Sequence, residues 1–142
     1  MAGKKAVNPP HLSRLERDVM NTVWDLAERT RECSSTDVVE AYQQKRALAD
    51  TTIRTVLRNL RKKGYIEPVP TIERGMRLRP AVARDVVARR TLHELVESFF
   101  DGSPRRAISF LLKEEAMDEN ELAEIRRVLD ETSADELRRR QP

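Results

Sequence analysis

The sequence predicts a mainly α-helical chain with one small β-hairpin. Three observations predict it. Apolar residues recur at helical spacing in six separate segments. Between the third and the fourth the period switches to strand-like alternation around a Gly-containing turn. Four glycines and 4% aromatics are too few for a β-rich architecture of 142 residues.

The first helix is expected over residues 13–28. Ser13 and Glu16 form an S-x-x-E capping box, and Leu15, Val19, Val23 and Leu26 make its apolar stripe. Trp24, beside that stripe, reads as core. The second helix spans 35–45: Ser34 or Ser35 caps it, Asp37 complements the dipole, and Val38, Val39 and Tyr42 face inward. The third spans 50–63 with Asp50 as its expected cap, and stops at Gly64 with Lys62 and Lys63 at the negative end of the dipole.

Residues 65–69 and 76–79 read as two strands joined by the polar turn Glu73-Arg74-Gly75, with Pro68 marking an edge strand. A fourth helix follows over 82–100, with Val82, Val86, Leu92, Leu95, Val96 and Phe99 as an irregular stripe. Asp101-Gly102-Ser103-Pro104 is a stop and restart. Helix five, 104–114, carries Ala107, Ile108, Leu111 and Leu112; helix six, 118–131, carries Leu122, Ile125, Val128 and Leu129 behind an Asp118/Glu121 capping pattern. Three such helices after a hairpin have little to pack against within one chain, so a second copy is expected. The self-association face is assigned to Val96, Phe99, Phe100, Ile108, Leu111, Leu112, Leu122, Ile125 and Leu129.

Charge is unevenly distributed. Residues 1–82 carry 16 Lys and Arg against 10 Asp and Glu, whereas residues 83–142 carry 11 against 14. A basic first part joined to an acidic second part points to a polyanionic partner for the first. The order helix–helix–helix–hairpin is that of a winged helix-turn-helix, with helix three as the reader of the major groove. At about 100° per residue from Thr51, Ile53, Val56, Leu57 and Leu60 centre near about 190°. Thr51, Thr55, Arg58 and Lys62 fall on the opposite face, and Arg54 flanks them. Arginine offers bidentate bonds to guanine, and threonine bonds phosphates or base edges. The DNA-contacting set is therefore Thr51, Thr52, Arg54, Thr55, Arg58 and Lys62, with Arg74 and Arg77 from the hairpin.

Several function classes are excluded. The single cysteine, Cys33, forms neither an intramolecular disulfide nor a cysteine zinc cluster, and reads as a packing or loop residue. His11 and His93 have no metal-site or nucleophile spacing, and no Gly-rich phosphate loop is present. No enzyme activity, metal or cofactor is expected. No apolar run spans a bilayer, and the basic first ten residues lack the apolar stretch of a secretory signal. The chain reads as cytoplasmic, with no membrane partner.

With these residues in place, the sequence resembles the penicillinase-repressor family, the BlaI/MecI type, to which CopY repressors also belong. The resemblance covers residues 12 to 131. It rests on Leu12, Ser13, Glu16, Val19, Met20 and Trp24, and on Thr52, Ile53, Thr55, Leu57, Leu60, Lys62, Lys63 and Gly64. Arg79-Pro80, Phe99-Phe100-x-Gly102-Ser103 and Asp118-Glu119-x-Glu121-Leu122 extend it. It implies a homodimer that binds a palindromic DNA operator and joins through its C-terminal helices. It also implies an inducing protease that cuts an Asn–Phe bond after the Gly-Ser turn, where this chain has Ser109-Phe110. The Cys-x-Cys motifs of the CopY branch are absent, so copper or zinc sensing is not expected.

The expected organisation is a loose basic arm over 1–11, a winged-helix DNA-binding domain over 12–81, a helical dimerisation domain over 82–132 and a charged tail over 133–142. The expected function is sequence-specific repression of transcription. Two rivals rank below it: a winged-helix adaptor that binds protein, and a repressor with a ligand pocket.

Overall fold

The computed structural model describes residues 9–140; the first eight residues of the basic arm and the last two of the tail lie outside it. Among the described residues, helices α1 (Arg14–Thr30), α2 (Ser35–Gln43) and α3 (Asp50–Lys62) precede strands β2 (Ile66–Val69) and β3 (Arg77–Pro80). Helices α4 (Arg84–Phe99), α5 (Pro104–Glu114) and α6 (Glu119–Arg140) follow. A two-residue strand, β1 (Cys33–Ser34), lies between α1 and α2 and was not expected. It is too short to show alternation, and it exists because Cys33 pairs with Leu78 and Ser34 with Arg77. The antiparallel sheet therefore runs β1-β3-β2, with β2, which carries Pro68, at an edge.

Local chemistry sets the helix ends. At α1, Ser13 Oγ accepts from the Glu16 N–H while Glu16 accepts from the Ser13 N–H at 2.8 Å, the reciprocal cap expected. Ser34 and Asp37 repeat the arrangement at α2. At the end of α3, Gly64 N–H donates to the Arg61 carbonyl and Tyr65 N–H to that of Leu60. That pair of bonds needs a left-handed residue between them, and Gly64 supplies it at φ +86°. Asp50 departs from expectation: α3 is preceded by Ala49 with no side-chain cap, and Asp50 instead turns its carboxylate to Arg54.

The chain divides into two compact units, one ending at Thr91 and the other beginning at Leu92. In the first, α1 contributes Val19, Met20, Val23 and Trp24 to the core, α2 contributes Val38, Val39 and Tyr42, and α3 contributes Ile53, Val56, Leu57 and Leu60. Tyr65, Ile66 and Leu78 close it from the sheet side. The first turns of α4 are tied into this unit. Arg84 bonds Asp25, Glu28 and the Asn21 carbonyl, and its guanidinium lies 5.5 Å from the Trp24 ring centroid. Arg90 bonds the Tyr65 hydroxyl and the Pro9 carbonyl, while Tyr65 donates to the Pro10 carbonyl at 2.7 Å. Residues 9–11 of the expected loose arm are thereby fastened, because each of their three carbonyls accepts a side-chain donor.

The second unit is built differently. Ala107 is buried, Phe100 packs against Phe110 with ring centroids 5.5 Å apart, and Ser103 caps α5. Helix α6 continues nine residues past the expected end at 131, through most of the stretch read as a charged tail. Ion pairs one turn apart, Arg127 with Glu131, Arg138 with Asp135 and Arg140 with Glu136, support that extension.

Candidate nucleic-acid interface

Helix α3 divides cleanly into two faces. Ile53, Val56, Leu57 and Leu60 are buried, which fixes the rotation of the helix about its axis. The opposite face presents Thr51, Thr55, Arg58 and Lys62 in one exposed row at i, i+4, i+7 and i+11. Arg58 and Lys62 have no ion-pair partner among the described residues. Thr55 Oγ1 donates to the Thr51 carbonyl at 2.9 Å, so its hydroxyl is left as an acceptor. Thr52, beside the row, is half-buried.

Arg54 stands apart from that row. Its Nε bonds the Asp50 carboxylate, Nη1 donates to Ser35 Oγ at 3.0 Å and Nη2 to Thr36 Oγ1 at 3.2 Å. Three of its five N–H groups are committed to α3 itself and to the head of α2, leaving two for a partner. The two α2 hydroxyls that hold Arg54 are not among the residues expected at the interface. Arg61, outside the expected set, is exposed and stands seven residues after Arg54 with Arg58 between them. The spacing 54, 58, 61 is itself a helical row and was the available signal.

In the hairpin, Arg77 is paired with Glu32 at 3.2 Å and Arg79 with Glu67 at 2.7 Å, the latter directly across the β2–β3 ladder. Of the two hairpin arginines expected at DNA, Arg74 is therefore exposed in the loop and Arg77 is half-buried and neutralised. Ile72, in the same loop, is fully exposed.

Two groups near this region have shifted acidity. Burial pushes the Glu16 carboxyl up, but the Lys63 ammonium at 2.7 Å and the bonds to Ser13 outweigh it, so it ends below its ordinary range. The Cys33 thiol is pushed up to about 11, first by burial and then by the Asp37 carboxylate. A buried thiol of that basicity is a packing group. Among the described residues no cluster of His, Cys, Asp or Glu is arranged to hold a metal ion, and no helix is long and apolar enough to cross a membrane.

The nine residues assigned to self-association all lie in the second unit. Phe99, Ile108, Leu111, Leu112 and Leu129 are exposed, Phe99 at 79%, and Val96, Phe100, Leu122 and Ile125 are half-buried. Five of the nine are thus exposed within one chain. Ser109, half-buried, and Phe110, exposed, sit inside α5.

Comparison with known proteins bears on the family of the chain. The sequence profile of a family described as Penicillinase repressor matches residues 12–131. A penicillinase repressor from Staphylococcus aureus is 25% identical over 122 residues, covering 86% of this chain and 93% of that protein. The transcriptional regulator BlaI of Mycobacterium tuberculosis is 33% identical over 124 residues, covering 87% of this chain and 86% of that one.

Proposed function

The chain belongs to the penicillinase-repressor family, transcriptional repressors and not enzymes, and on that footing we propose that it acts as a cytoplasmic homodimer on a palindromic DNA operator. The observation that carries the proposal is the exposed row Thr51, Thr55, Arg58 and Lys62 on a helix whose other face is locked into the core. Rigid placement matters because base readout depends on where each donor sits in the groove. Arg58 and the two threonines meet base edges or the adjoining phosphates, Lys62 and Arg74 meet phosphates, and Arg54 and Arg77 support from their braced positions.

The uncovered apolar residues of α4, α5 and α6 support the dimer. Monomeric proteins rarely leave so many large apolar side chains of one region in water. Such a dimer would carry two copies of α3, and paired reading helices of this kind bind half-sites one helical turn of DNA or a multiple of it apart. Repression then follows by occupation of a promoter. An inducing protease would act at Ser109-Phe110, whose peptide bond lies in the second turn of α5 and has to unwind to be cut.

The test is a fluorescence-anisotropy titration against the DNA upstream of the protein's own gene, with scrambled DNA as control, at two salt concentrations. Tight, selective binding that weakens steeply with salt is expected, together with a dimer by sedimentation. Equal, weak binding to both DNAs would count against an operator there and turn attention to the protein-adaptor alternative.

A further inference from the structure

Between α3 and the start of β3 the first unit has an open cleft of about 260 Å³. Leu57 and Met76 supply its apolar part. Its polar lining is Ser35, Arg54, Arg58 and Arg61, and among the described residues none that lines it is acidic. The three arginines fall at i, i+4 and i+7, so their side chains leave one edge of α3 about 10 Å from end to end. Their states differ. Arg54 is held by Asp50, Ser35 and Thr36, whereas Arg58 and Arg61 have no ion-pair partner among the described residues. Two unneutralised guanidiniums beside a third at the mouth of a cleft repel one another unless an anion lies between them. Guanidinium forks match the oxygens of a phosphate.

We infer that this cleft seats a phosphodiester of the DNA backbone, and that Arg61, with Arg58, grips it from α3. The inference rests on the DNA-binding reading above and adds to it a residue outside the face opposite the core. The DNA backbone, and not a free phosphorylated metabolite, is the favoured source. The cleft is open to solvent and not an enclosed cavity, and it adjoins the exposed row through Arg58, which belongs to both. A phosphate held there fixes the rotation of the duplex against α3 without reading a base.

The experiment compares the full-length protein with Arg61→Gln and Arg61→Lys. Each is titrated against a duplex enriched from a randomised pool by the wild type and against scrambled DNA, over a range of salt. Arg61→Gln is expected to weaken binding to both duplexes by the same factor, about tenfold at low salt, and to reduce the salt slope by about one. Arg61→Lys is expected to keep the slope. Arg61 is exposed, so a melting curve matching the wild type confirms an intact fold. An unchanged slope in Arg61→Gln, or a loss confined to the enriched duplex, would overturn the inference. Inhibition of DNA binding by millimolar inorganic pyrophosphate that Arg61→Gln abolishes, with DNA affinity itself unchanged, would assign the cleft to a free anion and also overturn it. If the wild type binds all DNA equally, the operator reading fails, and the slope on scrambled DNA still decides Arg61.

Discussion

The indole Nε1–H of Trp24 donates to the carbonyl oxygen of Val82 at 2.9 Å, joining α1 to the segment that leads into α4 across 58 residues of sequence. Trp24 is 7% exposed and Val82 9%, so neither group has water as an alternative. Trp24→Phe keeps most of the apolar bulk and leaves that carbonyl without its donor. A loss of about 1–3 kcal/mol is expected, measured by urea unfolding followed by circular dichroism. Wild-type stability in this variant would mean that the bond is replaced at no cost.

Glu16 closes the cap of α1 and meets Lys63 after the end of α3. Its carboxyl is held below the ordinary range, so its contribution is complete above the unfolded value of about 4.3 and disappears as pH falls through the folded value. Glu16→Gln is expected to cost about 1–2 kcal/mol at neutral pH. The gap between variant and wild type should close on acidification toward pH ~3. A gap that stays constant across that range would show that the charge on Glu16 contributes nothing.

Arg54 and Arg58 are separable. Arg58→Ala is expected to weaken operator binding by about 1–3 kcal/mol with an unchanged melting temperature. Arg54→Ala also removes the bonds to Ser35 and Thr36, so it should lower both DNA affinity and stability, the latter by about 1 kcal/mol. Identical behaviour of the two variants in melting experiments would remove the bracing role given to Arg54.

Cys33 is 3% exposed with its thiol pushed up to about 11. In the folded protein at pH ~8 it should resist thiol reagents and react at the rate of local opening, while denatured protein reacts at once. Rapid stoichiometric labelling of native protein would contradict the buried position.

Phe99 tests the apolar region of the second unit. Phe99→Asp places a charge where a second copy is expected to pack and should shift sedimentation from dimer to monomer while helix content is retained. A variant that remains dimeric would move the interface away from α4.

The first unit was readable from sequence because its signals are local and redundant. The Ser13/Glu16 cap, the Gly64 stop, the apolar faces of α2 and α3 and the Glu73–Gly75 turn each depend on a few adjacent residues. Strand β1 was not readable, since a two-residue strand has no period and depends on Leu78 and Arg77, more than forty positions away. Asp50 does not cap α3 as its residue type suggests, because Arg54, four residues on, competes for the same carboxylate. Among the interface residues, exposure followed from helical angle, but neutralisation did not. Nothing near Arg77 in the sequence announces Glu32 as its partner. The end of α6 lies beyond the expected residue 131 because its last turns carry ion pairs in place of an apolar stripe.

The tether on Arg54 also bears on the entropy of binding. A free arginine side chain carries about 2 kcal/mol of rotamer freedom, much of which is lost when a ligand immobilises it. Arg54 has given up that freedom during folding, through Asp50, Ser35 and Thr36, whereas Arg58 and Arg61 still have theirs to lose. A polyanion approaching α3 therefore finds one guanidinium already immobile and two that must be stilled on contact.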